Sequence, residues 1–181
     1  MASPHTGSTS PTGSIAAINS QVLPFPIGET LASGSFPATD LLVGLVFDGP
    51  KGSKWRLVRA SAAVATAALA AKKVFQYSAA ATYDVALATA ATHAAVGVTA
   101  DSQVAIADND LFWLQVAGTA TCIDSGLGLT ALNVVSAAAT GDVAVVTPDA
   151  AGIASNTDFG YVLTTASANA DVSIHINGTL G

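Results

Sequence analysis

Leu111 to Ile123 reads LFWLQVAGTATCI, and in it Phe112, Leu114 and Val116 alternate with Trp113, Gln115 and Ala117. A two-residue period sends the first three side chains to one face of a pleated strand and the other three to the opposite face. Gly118 then interrupts the pattern where a bulge would bend the strand, and Asp108-Asn109-Asp110 supplies a turn just before it.

Strand-sized pieces extend outward from this one. Upstream, the apolar run Leu41 to Phe47 is closed by the turn-rich Asp48-Gly-Pro-Lys-Gly52 and followed by Trp55 to Val58, a hairpin pattern. Val74 to Tyr77 and Tyr83 to Leu87 flank residues 78–82, and Val96 to Thr99 leads to Val104 and Ile106. Downstream come Asp142 to Thr147, Phe159 to Thr164 and Asp171 to Asn177, the last alternating Val172, Ile174 and Ile176 with Ser173 and His175. Short strands at this spacing predict a mainly β chain folded as a compact barrel or sandwich. Ser61 to Ala71 is rich in helix-forming alanine but has no 3.6-residue stripe, so a loop with a helical turn is expected there. No period of 20 to 50 residues repeats, which excludes a solenoid.

Composition agrees with β structure. The chain has 181 residues, enough for one well-cored domain, and only 10% of them are charged. Its acids are nearly all Asp, a turn residue, where helical surfaces favour Glu and Lys. The mean hydropathy of +0.54 overstates the burial available, because alanine supplies roughly a fifth of the chain. The longest uncharged apolar stretch, Ala60 to Ala71, is too short to cross a bilayer, so no membrane partner is expected. Residues 1–13 lack the basic and apolar parts of a secretory signal.

All six cations, Lys51, Lys54, Arg56, Arg59, Lys72 and Lys73, fall within residues 51–73 of a chain of net charge −6. An acidic chain with no aromatic stacking platform among its cations is a poor ligand for nucleic acid. The six are expected to pair with carboxylates of this chain or of a neighbouring subunit.

Residues 1–38 differ from the rest, joining Pro4, Pro11, Pro24, Pro26 and Pro37 with many Ser, Thr and Gly. Such a segment cannot form a core alone, yet Gln21 to Ile27 places Val22, Leu23, Phe25 and Ile27 among prolines that favour an extended backbone. The expected organisation is an N-terminal docking arm, 1–38, and a β-rich globular domain, 39–181.

Candidate chemistry is sparse. The chain has one Glu, Glu29, one cysteine, Cys122, and three separated histidines, His5, His93 and His175. No P-loop, dinucleotide fingerprint, C-x-x-C or H-E-x-x-H occurs, and Asp124-Ser125-Gly126 has Ile123 where a hydrolase elbow requires Gly. Asp108-Asn109-Asp110 is followed by Leu111, not by the spaced oxygens and Gly of a calcium loop. Cys122 reads as a small buried hydrophobe. No enzyme, cofactor or metal site is expected; a hydrolase using Ser125 with His175 and an Asp is the catalytic alternative.

The order of segments resembles the small β-rich capsid decoration, or cement, proteins of tailed bacteriophages. Trp55-Arg-Leu-Val-Arg-Ala-Ser61, Val74-Phe-Gln-Tyr77, Val96-Gly-Val98, Val104-Ala-Ile-Ala-Asp108, Leu111-Phe-Trp-Leu-Gln-Val-Ala-Gly118, Asp158-Phe-Gly-Tyr-Val-Leu-Thr-Thr-Ala166 and Val172-Ser-Ile-His-Ile176 carry the likeness, which spans about residues 39–181. Two departures stand out: Asn109 replaces the usual Gly before Asp110, and Phe112 stands where Gly often precedes the Trp. The resemblance implies a virion protein without catalysis, made in the bacterial cytoplasm. It would bind the outer surface of an icosahedral shell through the major capsid protein and through copies of itself, as a homotrimer or a dimer. Another phage structural β-module, from a tail, a fibre or a receptor-binding component, is the alternative. The candidate capsid or subunit interface comprises Val22, Leu23, Phe25 and Ile27 of the arm with Trp55, Arg56 and Arg59. Sequence leaves open whether these last three face a partner or the core.

Overall fold

A computed structural model describes residues 17–18, 21–22, 25–32, 42–89, 95–146 and 159–177. The strands in chain order are β1 (Ala17–Ile18), β2 (Gln21–Val22), β3 (Thr30–Leu31), β4 (Val46–Asp48), β5 (Lys54–Ala60), β6 (Val74–Ala79), β7 (Asp84–Leu87), β8 (Ala95–Val98), β9 (Leu111–Ile123), β10 (Val134–Ala137), β11 (Val143–Val145), β12 (Gly160–Val162) and β13 (Asp171–Ile176). One helical turn, α1 (Ala67–Ala70), lies between β5 and β6 and is capped by the Thr66 side chain, which accepts from the Leu69 amide. The chain is mainly β, as its residues predict.

The pairings β5–β9–β8–β6–β7 close on themselves through a parallel β7–β5 contact, Arg59 opposite Asp84 and Ala60 opposite Val85. The result is a small closed barrel. A parallel closure needs a long connection, and residues 61–83 supply it by way of β6; in its first part Val64 bridges to Ile106 and α1 turns the chain. Alternation decides what fills the barrel: Val58, Ala60, Phe75, Val85, Val96, Phe112, Leu114 and Val116 form its buried interior.

The long strand β9 leaves the barrel at Gly118 and continues as the edge of a second, antiparallel sheet in the order β9–β13–β12–β10–β11. The inner face of that sheet, including Cys122, Val135, Val162, Val172, Ile174 and Ile176, packs on Val74, Ala88, Ala95 and Val98 of the barrel strands and their ends. Gly118 makes the hand-over possible. Its backbone adopts φ +90°, and a Cβ there would lie 3.0 Å from the Cα of Ser53 on the facing chain. The register break falls just before it, since Lys54 faces Ala117 and Trp55 faces Gln115, leaving Val116 unpaired.

Both departures from the phage pattern have a physical account. Asn109 holds φ +66°, a left-handed turn that glycine enters freely and asparagine tolerates. Phe112 projects into the barrel, where its ring meets Phe75 edge-on at 5.1 Å.

Candidate binding surface

The opposite face of the barrel wall is also apolar. Trp55, Leu57, Leu111 and Trp113 form a buried cluster on the outside of β5 and β9, covered by Phe25, Ile27, Leu31, Leu42, Val43 and Phe47. Trp113 is the centre of this layer. Its ring packs tilted against Phe25 at 5.5 Å and edge-on against Phe47 at 5.1 Å, and its indole N–H donates to the Phe25 carbonyl at 3.1 Å. β3 adds two residues to β9, Thr30 opposite Phe112 and Leu31 opposite Leu111. A segment of the N-terminal arm is thereby laid along the chain's own barrel.

Each expected interface residue has a definite place or none. Leu23 and the Val22 side chain lie outside the described residues, although the Val22 backbone pairs with Ala17. Phe25 and Ile27 cover the outer cluster. Trp55 is only 7% exposed and belongs to the same cluster, its indole N–H donating to Ser53 Oγ at 3.0 Å.

Arg56 points the other way, to the barrel interior, and is 4% exposed. It donates to the Tyr77 hydroxyl, and its guanidinium carbon stands 5.6 Å from the centre of the Tyr83 ring. Its Nε has no partner, and no carboxylate among the described residues pairs with it. Arg59 pairs with Asp84 at 2.7 Å across the parallel closure. Burial works against the Asp84 carboxylate, but the hydrogen bonds from Arg59 and Thr82 and the Arg59 charge outweigh it, so the carboxyl lies below its ordinary value.

Three further cations pair with carboxylates, while Lys51, like Arg56, makes no ion pair among the described residues. Lys54 pairs with Asp48 at 2.7 Å, Lys72 with Asp171 and Lys73 with Asp142. The last two pairs join the barrel to the second sheet. Hydrogen bonding to Asp171, opposed by partial burial and aided by the charges of Asp171 and Asp101, raises the Lys72 pKa.

Beside Trp55 runs an open groove of about 450 Å³ lined by Pro50, Lys51, Ser53, Gln115 and Thr119. Gln115 is fixed within it, its Nε2 donating to the carbonyls of Ala117 at 3.1 Å and Thr119 at 2.8 Å. The groove offers an amide, hydroxyls and an ammonium, groups that bind but do not form a nucleophile with its base.

The residues of the catalytic alternative are held apart. His175 faces Thr119 across the β13–β9 ladder and stacks near Tyr161 at 5.2 Å, whereas Ser125 follows β9 at its far end and its N–H donates to the Val143 carbonyl. Six residues of strand separate Thr119 from Ser125, about 20 Å. Asp124 is occupied locally, its Oδ2 accepting from the amides of Gly126, Gly128 and Asn169. Cys122 is fully buried, which pushes its thiol pKa far up. Asp110 accepts from the Ala107 amide in the turn before β9. Among the described residues no group of three His, Cys, Asp or Glu side chains could hold a metal ion, and no helix is long and apolar enough to cross a membrane. His5 and His93 lie outside the described residues.

No protein-family model and no curated protein matches the chain. Among solved structures, the chain is similar to that titled "The crystal structure of head fiber gp8.5 N base in bacteriophage phi29", with 16% identity, a TM-score of 0.48, and coverage of 68% of this chain and 92% of that one.

Proposed function

We propose that the chain is a phage structural protein that acts without catalysis on the outer surface of an icosahedral capsid, where it bridges neighbouring capsid subunits and stabilises the shell. The observation that carries this reading is where the phage-like segments fall. Trp55 to Ser61 contains most of β5, Val74 to Tyr77 lies in β6, Val96 to Val98 lies in β8, and Leu111 to Gly118 is the barrel half of β9. Four of the seven segments therefore fall on adjacent walls of one closed barrel, two reach β12 and β13 of the second sheet, and Val104 to Asp108 lies in the connection before β9.

The outer cluster is closed within the chain: the hydrophobic ribbon lies over Trp113, and Thr30 and Leu31 pair with its own β9. Attachment to a shell therefore falls to the exposed surfaces, where many weak contacts repeated over a symmetric shell hold by multivalency.

The test is to offer the purified chain to undecorated shells, image the particles, and count bound copies. Copies spread over the whole shell, together with survival of the particle at higher temperature, support decoration. Copies confined to one vertex or to the tail would replace it with the fibre or tail reading, and no binding to any particle would end both.

A further inference from the structure

We propose that the outer end of the second sheet, built by residues 127–134 and 161–163, is a self-association surface at which two copies of this chain meet face to face. It carries the two most exposed large apolar side chains among the described residues, Leu127 at 85% and Leu132 at 79%, together with Leu163 at 39% and Val134 at 38%. Register groups three of them, and Leu127 stands in the turn between Asp124 and Leu129. Val134 faces Tyr161, which faces His175, on the side of the sheet opposite the buried Val162 and Ile174. Leu132 and Leu163 follow one step along the same ladder, the Leu132 amide donating to the Val162 carbonyl at 2.8 Å.

These leucines are displayed by fixed loops. Asp124 Oδ2, buried beneath, accepts from three backbone amides, and Leu129 and Ala166 exchange both backbone bonds at 3.0 and 2.8 Å. Leu132 holds φ +71°, a left-handed conformation that leucine rarely adopts, and does so to present a side chain to solvent. Rigid apolar groups bind with little ordering cost.

Charge selects the occupant. Residues 125–141 and 159–170 contain no Asp, Glu, Lys or Arg, in a chain of net charge −6. Two copies repel through the rest of their surfaces, and this face is where they can touch without bringing like charges together. A strongly charged partner would find nothing here to pair with. The exposed parts of the four side chains amount to about 400 Å² per copy, half of the roughly 800 Å² per partner in a standard interface. A patch that fits itself makes a two-fold, isologous contact.

The test is the mass of the full chain by sedimentation and light scattering, with circular dichroism to confirm folding. The wild-type chain is expected at twice the 17.8 kDa of one copy. Leu127→Asp with Leu132→Asp is expected to weaken association on the order of a hundredfold, and Leu127→Ser with Leu132→Ser, which adds no charge, to weaken it in the same direction. Leu45→Asp, at an exposed leucine on the barrel side, should leave the mass unchanged. A wild-type chain that stays single at high micromolar concentration overturns the proposal. So does an oligomer that survives both double substitutions, or one that Leu45→Asp dissociates equally well. None of these readouts involves a shell, so the outcome is independent of capsid binding.

Discussion

Replacing Gly118 by alanine should cost far more than the same change at Gly52, and the difference measures the contact that joins the two sheets. Both glycines have positive φ, +90° at Gly118 and +76° at Gly52, so each substitution carries a backbone penalty of about 1 kcal/mol. The surroundings differ. A Cβ at Gly52 meets nothing within 4 Å, whereas one at Gly118 lies 3.0 Å from Ser53 Cα and 3.4 Å from the Gly52 carbonyl oxygen. Those are backbone atoms of the β5 entry, and moving them disturbs the register break and the Ser53 hydroxyl, which donates to the Pro50 carbonyl and accepts from Trp55. Overpacking of this kind adds about 1–3 kcal/mol, giving a total near 2–4 kcal/mol for Gly118→Ala. For a chain of this size that lowers Tm by roughly 5–15 °C, against about 2–4 °C for Gly52→Ala. Urea unfolding of the two variants beside the wild type measures the gap directly. Equal losses would refute the reasoning, because they would show that close approach at the bend of β9 carries no energy beyond the dihedral itself.

Two further outcomes follow from the buried and paired charges. Arg56→Met should change unfolding free energy by less than about 1 kcal/mol in either direction, because the guanidinium is buried without a carboxylate and its removal relieves desolvation as it deletes the tyrosine contacts; a loss above about 3 kcal/mol would mean the tyrosine contacts dominate. The pH profile has two limbs of opposite sign. Asp84, with its carboxyl held low, contributes stability that is full above its unfolded pKa of about 3.9 and lost as pH falls through the lower folded value. Lys72, with its pKa raised, contributes stability that is full below about 10.4 and lost as pH rises through the folded value. Asp84→Asn should flatten the acid limb and Lys72→Met the alkaline one in unfolding titrations.

Strands with side-chain alternation were legible in the sequence. β7, β9 and β13 fall within the segments expected for them, β5, β6 and β8 overlap theirs and run one to three residues beyond, and Phe112, Leu114 and Val116 do share the face opposite Trp113. Where the signal was weak, reading failed for identifiable reasons. β10, Val134–Ala137, leads directly into alanines and shows no two-residue period, because Val135, Ser136 and Ala137 are all buried. Leu41 to Phe47 reads as a strand, yet the regular ladder is Val46–Asp48; residues 42–44 turn, Gly44 and Leu45 both bond to Leu57, and Gly44 lies against the Tyr83 ring, a long-range contact that no local pattern encodes. Barrel and sandwich were alternatives in the sequence, and the structure closes a barrel and then packs a second sheet on it because β9 is long enough to serve both. The candidate surface was less legible. Phe25 and Ile27 announce an apolar ribbon that needs a groove, but the identity of the groove depends on Trp113 and Phe47, far away in sequence. Leu127 and Leu132 lie in a turn-rich stretch without periodicity, so nothing local marks them as displayed.

The placement of the cations explains why so uncharged a surface is compatible with a well-defined fold. The barrel closes by a parallel pairing, the arrangement that requires a crossover and gains least per residue from its ladder. The stretch of that connection between β5 and β6 carries cations at both ends: Arg59 clamps Asp84 at the closure itself, while Lys72 and Lys73, just before β6, reach Asp171 and Asp142 on the second sheet. Clustering in sequence thus becomes dispersion in space, because a crossover touches elements distant along the chain. Partly buried pairs of this sort add little net energy, but they penalise a crossover of wrong register by leaving charges unpaired. With most of the positive charge committed to internal geometry, the faces left over are apolar or hydroxyl-bearing. Such faces suit contact with other protein surfaces better than with phosphates.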